Sequence, residues 1–281
     1  MNRKMTAKPS GSTGFPGRYG SWAMVAGASE GLGAAFARAL AQRGMNLVLL
    51  ARRKNLLDTL AQECTRYFAV KVQCIEVDLA AADAAEKLRI PIDSLEVGVI
   101  VYNAAFAPIG SFATIPLSEL QRVVDVNVRC PLALVRTAIP AMLSRGKGAV
   151  VLMSSLAGNQ GTPRIATYAA SKAFNTILGE GLWHELKSSG VDVITCCAGA
   201  IRTPGYQDTA AVEAPGTMNA QDVAEKTLRA LGRGPRAIPG FVNRVANFAL
   251  GRVFSRRLAI SLMAGSTKNL IATEEPGSAH D

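Results

Sequence analysis

At 281 residues, 49% of them hydrophobic and 19% charged, the chain has room for one large α/β domain or two small ones with a substantial core. It holds no run of about 18 uninterrupted apolar residues, which argues against a spanning helix; five cysteines in no metal-like spacing and only two histidines argue against a metal site or a histidine triad. The net charge of +10 is uneven: four basic residues precede residue 20, and eight (Arg229, Arg233, Arg236, Arg244, Arg252, Arg256, Arg257, Lys268) fall in a segment without an Asp or Glu.

In chain order, Met1–Gly20 is basic, polar and rich in Gly, Ser and Pro, lacks the apolar stretch of a signal peptide, and reads as a flexible leader. Trp22–Ala26 is a short apolar run that passes directly into Gly27-Ala28-Ser29-Glu30-Gly31-Leu32-Gly33, after which Ala34–Arg43 follows helical spacing. In a strand–glycine turn–helix unit the glycines permit a tight turn and close backbone approach to a pyrophosphate, whose charge is stabilised at the helix N-terminus. The spacing here is G-x-x-x-G-x-G rather than G-x-G-x-x-G.

Asn46–Ala51 reads as the second strand and ends in Arg52-Arg53. An acidic residue at this place accepts hydrogen bonds from the ribose 2′-hydroxyl, whereas an arginine accommodates a 2′-phosphate, so Arg52 favours NADP(H) over NAD(H). Leu56–Tyr67 reads as a helix and Val70–Val77 as a third strand, ending at Asp78-Leu79 with Asp78 placed either to meet the adenine or to cap the next turn. Glu96–Tyr102 is the fourth strand and runs into Asn103-Ala104-Ala105. Leu117–Arg145 is one long helical region containing Asn127, a polar group that is costly in an apolar helix unless it is bonded.

Lys147–Met153 forms a fifth strand with Ser154-Ser155 at its end, followed by a helix over Tyr168–Ser188, the strand Val191–Cys197 and then Ala198–Pro204. Strands alternating with helices imply a doubly wound, Rossmann-type parallel sheet with helices on both faces. In such sheets the site lies outside the carboxyl ends of the strands, where Gly27–Gly33, Arg52, Asp78, Asn103, Ser155 and Gly199 all fall. Tyr168 and Lys172 sit one turn apart on one helix face. A phenol titrates near pH ~10, and a nearby ammonium stabilises its phenolate, which suits the pair to general acid–base work.

Beyond Thr203 the pattern weakens. Gly205–Met218 reads as a polar, mobile lid, Gln221–Leu231 as a helix, and Phe241–Ala264 as largely apolar with interspersed arginines. That last stretch is a helix pair completing an apolar pocket, or an amphipathic surface that meets a membrane or the phosphates of a substrate carried on CoA or acyl-carrier protein. The segment 204–268 is thus the expected substrate lid of one domain spanning 21–270, with a polar tail over 271–281. An odd cysteine count without a secretory signal favours reduced, buried thiols and a cytoplasmic protein, and no nucleic-acid motif accompanies the basic residues.

Together these motifs resemble the short-chain dehydrogenase/reductase family, over about residues 20–204. Ala26–Gly33 matches the family's T-G-x-x-x-G-x-G, and Asn127, Ser155, Tyr168 and Lys172 match its catalytic set, with thirteen residues from Ser155 to Tyr168. The resemblance implies that Tyr168 exchanges the proton with the substrate oxygen and Ser155 hydrogen-bonds that oxygen. It implies that Lys172 holds the nicotinamide ribose and lowers the Tyr168 pKa, while Asn127 positions a water in a proton relay. Dinucleotide contacts are expected from Gly27, Ser29, Glu30, Gly31, Leu32, Gly33, Arg52, Asp78, Leu79, Asn103, Ala104, Tyr168, Lys172, Gly199, Ile201 and Thr203.

The departures are Ala26 for Thr, Tyr102-Asn103-Ala104-Ala105 for N-N-A-G, Ala198 for Pro, and Glu30 where NADP-preferring members often carry a basic residue. The segments Tyr19–Val25, Arg43–Leu50 and Leu95–Val101 look most like the branch of 3-oxoacyl reductases and 17β-hydroxysteroid dehydrogenases. The expected activity is therefore NADP(H)-dependent interconversion of a ketone and a secondary alcohol on a lipophilic substrate, a 3-oxoacyl thioester first and a ketosteroid next. The alternative is a dinucleotide-binding sensor or scaffold without turnover. Relatives pair through the helices that here span Leu117–Arg145 and Tyr168–Ser188, so a homodimer or homotetramer is expected.

Overall fold

The computed structural model describes residues 14–209 and 213–267. From α1 (Phe15–Tyr19) the chain passes through β1 (Trp22–Ala26), α2 (Gly31–Gln42), β2 (Asn46–Ala51), α3 (Lys54–Phe68), β3 (Val72–Glu76), α4 (Ala84–Ser94) and β4 (Val97–Tyr102). Next come α5 (Leu117–Val124), a π-helical turn at Asp125–Arg129, α6 (Cys130–Arg145), β5 (Gly148–Ser155), a 3-10 turn at Leu156–Asn159, α7 (Ala166–Leu186) and β6 (Val191–Ala198). The chain then forms β7 (Ile201–Arg202), α8 (Pro204–Thr209), β8 (Met218–Asn219), α9 (Ala220–Ala230), β9 (Arg236–Ala237), α10 (Phe241–Phe248), a π-helical turn at Ala249–Val253 and α11 (Arg256–Thr267).

Seven parallel strands lie in the order β3-β2-β1-β4-β5-β6-β9, and β7 pairs separately with β8. The strand order reverses between β1 and β4, which makes the crevice at their carboxyl ends the switch point of the sheet. Strands buried on both faces read as continuous apolar runs, and β1 and β4 do so. Alternate residues then serve opposite layers. Val25, Val101 and Val151 pack with Phe36 and Leu40 of α2, while Met24, Ile100 and Val150 pack with Leu134 and Ala138 of α6. Each such side chain stabilises the fold by ~1.5–3 kcal/mol relative to exposure.

Several sequence expectations are corrected. Within the leader expected over Met1–Gly20, Phe15–Tyr19 is helical, and Tyr19 is buried with its hydroxyl donating to Asp192 at 2.8 Å. Residues 1–13 and the tail at 271–281 lie outside the described residues. The helix Ala84–Ser94, with Pro91 inside it, has no counterpart in the sequence reading because its apolar stripe is reduced to Ala84, Leu88, Pro91 and Ile92. Leu117–Arg145 is not one regular helix but two joined by the π turn that carries Asn127. By length and composition this stretch would suffice to cross a membrane; its buried Leu134, Val135, Ala138 and Met142 instead pack on the sheet.

Candidate active site

One cavity of about 590 Å³ opens along the carboxyl ends of the strands. Its floor is the glycine turn after β1. Gly27 (φ +77°) and Gly31 (φ +54°) take backbone conformations that side-chain-bearing residues rarely adopt. A Cβ on Gly33 would lie 1.9 Å from the Gly27 carbonyl oxygen, so α2 approaches the turn this closely only with glycine there. Asn103 at the end of β4 fixes the turn from the other side, its Nδ2 donating to the Gly27 carbonyl at 3.0 Å. Glu30, at the N-cap of α2, makes no side-chain capping bond, which leaves the first-turn amides of that helix to a ligand.

At the outer end of the cavity, Arg53 reaches back over the turn. It pairs with Glu30 at 2.5 Å and donates to Ser29 Oγ at 3.0 Å. Arg52 lines the same end, as do Asp78 and Leu79. Asp78 does cap the following turn, its carboxylate accepting from the Ala80 N–H at 3.0 Å and pairing with Arg122 at 2.8 Å, and it also lines the cavity where an adenine contact was the other expectation. Burial would raise that carboxyl, but these hydrogen bonds outweigh it and hold the group below its usual range. Arg122 in turn lies over the Phe106 ring, 5.5 Å from its centroid.

At the inner end stand Ser155, Tyr168 and Lys172. Ser155 caps the 3-10 turn, its Oγ accepting from the Ala157 N–H at 3.2 Å. Ser154 points away, donating to the Lys172 carbonyl at 2.7 Å and lying 2.7 Å from Thr176 Oγ1, which pins β5 to α7. Lys172 is 3% exposed; its Nζ donates to the Met153 carbonyl at 3.0 Å and stands 5.5 Å from the centre of the Tyr168 ring. Burial lowers the Lys172 pKa to about 8. Burial also raises the Tyr168 phenol, with the Ser155 hydroxyl opposing the shift as a hydrogen-bond partner. The expected lowering of Tyr168 by Lys172 is thus corrected: desolvation of the phenolate dominates.

Asn127 and Gly33 do not line the cavity. Asn127 is fully buried behind its wall, where Oδ1 accepts from the Phe106 N–H at 2.8 Å and Nδ2 donates to the Phe106 carbonyl at 2.9 Å and to Ser171 Oγ at 3.0 Å. Its own carbonyl accepts from Asn175 Nδ2 at 3.1 Å. Tyr102, which replaces the family's asparagine, donates its hydroxyl to the Val126 carbonyl at 2.5 Å and so ties β4 to the same π turn.

The remaining predicted residues, Leu32, Ala104, Gly199, Ile201 and Thr203, all line the cavity. Thr203 packs on Gly31, where an added Cβ would stand 2.8 Å from Thr203 Cγ2. Gly199 also admits Asn243 of α10, whose Oδ1 would lie 2.5 Å from a Cβ at that position. Sequence reasoning missed Arg53, Phe106, Arg122, Ile165 and Tyr206, which line the cavity, and Ser171 and Asn175 behind it. Only Arg53, adjacent to Arg52, had a local signal. Gly205 and Tyr206 are the only described residues of the expected 204–268 lid that line this cavity.

A glycine cradle at a helix N-terminus, open at a switch point and leading to a Ser–Tyr–Lys cluster, defines a nicotinamide-dinucleotide-dependent oxidoreductase. A profile of the short chain dehydrogenase family matches residues 21–214, and the chain belongs to that family. It is therefore an oxidoreductase acting on a carbonyl/alcohol pair.

The chain is 33% identical over 235 residues to a 7beta-hydroxysteroid dehydrogenase of Clostridium sardiniense, covering 82% of this chain and 89% of that one. It is 36% identical over 179 residues to a very-long-chain 3-oxoacyl-CoA reductase of Anas platyrhynchos; this covers 62% of the chain and only 57% of the reductase. A solved structure from work on 7beta-hydroxysteroid dehydrogenase stereoselectivity superposes with a TM-score of 0.84 at 25% identity, over 89% of this chain and 99% of the other. A short-chain dehydrogenase from Sphingobium yanoikuyae in complex with NADPH superposes with a TM-score of 0.71 at 28% identity, over 77% and 86%.

Proposed function

We propose that the protein is an NADP(H)-dependent reductase of a bulky lipophilic ketone, with a steroid skeleton as the first substrate class. The observation that carries the reading is the meeting of Ser155, Tyr168 and Lys172 at the inner end of the cavity, while two arginines stand at its outer end. The nicotinamide, when bound, supplies or accepts the hydride. Tyr168 gives its phenolic proton to the carbonyl oxygen, and Ser155 hydrogen-bonds that oxygen and polarises it. Lys172 would hold the ribose, and Asn127 anchors the Phe106 loop against α7.

Arg52 and Arg53 support NADP(H), and a bound NADPH in the Sphingobium relative agrees with that choice. A steroid moves ahead of the 3-oxoacyl thioester because the likeness to the hydroxysteroid dehydrogenase runs nearly the length of both chains. The thioester is the second reading, supported by the higher identity to the reductase over a shorter span. Exposed Leu117, Leu132, Leu143 and Ile177 on the helices around α6 and α7 support homo-oligomerisation through that face. The test is kcat/KM for a panel of ketosteroids and 3-oxoacyl thioesters with NADPH and NADH. The reading requires a steroid to lead with NADPH; a preferred thioester or preferred NADH would overturn the corresponding part.

A further inference from the structure

Helix α10 reverses the usual polarity of a surface helix. An amphipathic helix on a globular protein buries its apolar stripe. In α10 the one buried residue is Asn243, whose Nδ2 donates to the Gly216 carbonyl at 3.1 Å and the Pro239 carbonyl at 2.9 Å. Phe241, Val245 and Phe248, which share the opposite face by helical spacing, are 73%, 52% and 63% exposed. The patch continues into Val253 and Phe254 and onto α11, where Leu258 and Leu262 are exposed one turn apart.

Single exposed apolar residues need no explanation, but so many on successive elements mark an interaction surface. Arginines 244, 252 and 257 are exposed within it, and no Asp or Glu occurs between Arg229 and Lys268 to neutralise them. A two-fold contact with a second copy would set these arginines against themselves. A surface with an apolar interior beneath fixed negative charge complements both features. We propose that α10, the following π turn and α11 form a docking surface for an anionic lipid bilayer, with the phenylalanines entering the acyl boundary and the arginines meeting lipid phosphates.

The surface is joined to the site. Asn247 of α10 accepts from Asn159 Nδ2 at 2.7 Å and Arg256 donates to the Asn159 carbonyl at 2.7 Å; Asn159 ends the 3-10 turn that Ser155 begins. Docking would therefore hold the Ser155–Tyr168 end of the cavity close to the bilayer, where a lipophilic ketone concentrates; this consequence, unlike the docking itself, rests on the substrate class proposed above.

The experiment is co-sedimentation of the full chain with vesicles of phosphatidylcholine alone or of phosphatidylcholine with phosphatidylglycerol, at low and high salt. Variants are Phe241→Ser/Phe248→Ser and Arg252→Gln/Arg257→Gln, all at exposed positions, with NADPH binding as the check of folding. The protein should sediment with the anionic vesicles, be released by salt, and lose about tenfold or more of its partitioning in either double variant. No sedimentation with anionic vesicles would overturn the proposal. So would unchanged sedimentation of the Phe variant, which would place binding elsewhere in the chain. A dimer in ultracentrifugation that the Phe variant splits, without lipid binding, would assign the patch to a second copy.

Discussion

Glu30 pairs with Arg53 at 2.5 Å across the mouth of the dinucleotide cavity, beside the Ser29 hydroxyl that the same guanidinium reaches. A carboxylate at this position both occupies the arginine and repels a 2′-phosphate. The pair is 39% and 49% exposed, so its own energy is small, on the order of 0.2–1 kcal/mol. Glu30→Gln should therefore tighten NADPH about two- to tenfold and leave NADH unchanged, as read by quenching of protein fluorescence. Equal tightening of both cofactors would show that Glu30 acts on the pyrophosphate instead. Weaker NADPH binding would show that Glu30 orients Arg53 for the phosphate.

Lys172 is a stability cost kept for chemistry. Its folded pKa of about 8 lies below the ordinary 10.5, so protonation favours the unfolded chain. The cost is present in full below about pH 8 and fades as pH rises from there to about 10.5, because in that window the unfolded chain holds the extra proton. Lys172→Met should thus raise the thermal midpoint of the cofactor-free protein at pH 7, by up to about 3 kcal/mol in stability, and abolish turnover. The gain should shrink on approaching pH 10.5. A midpoint at pH 7 equal to or below that of the natural chain would contradict the assignment.

Gly33 carries a sharper steric prediction. The Cβ of Gly33→Ala would meet the Gly27 carbonyl oxygen at 1.9 Å, a backbone atom that cannot rotate away. The turn must open, which costs about 1–3 kcal/mol by the rules of overpacking and spoils the cradle. Denaturant unfolding should show the loss, and dinucleotide affinity should fall more than stability does. Gly146→Ala, where an added Cβ meets nothing within 4 Å but φ is +62°, separates backbone strain from steric collision.

The parts of this fold that were legible are those with period or punctuation. β1, β4 and β6 announce themselves as apolar runs because parallel strands are buried on both faces, and the glycines and the Ser155–Tyr168–Lys172 spacing locate the cavity. What stayed hidden depends on distant partners. The π turn at Asp125–Arg129 looks like ordinary helix in sequence, since nothing local shows that Asn127 bonds the Phe106 backbone and Ser171. Arg122 reads as a surface residue until Asp78, far away in the chain, is found against it. Phe241–Ala264 read first as a helix pair completing a pocket and second as a surface, and nothing local in the sequence shows that Asn243 turns inward and leaves Phe241 and Phe248 exposed.

The central claim is that Tyr168 passes the proton, and single-turnover reduction of the best ketone by the NADPH-loaded enzyme tests it most directly, comparing the natural chain with Tyr168→Phe. Since burial raises the phenol, Tyr168 stays protonated through neutral pH and is available as the donor. The account predicts that hydride transfer in the Phe variant slows by about 10²–10⁴, with NADPH affinity changed by less than about threefold. A Phe variant that transfers hydride at an undiminished rate would contradict it.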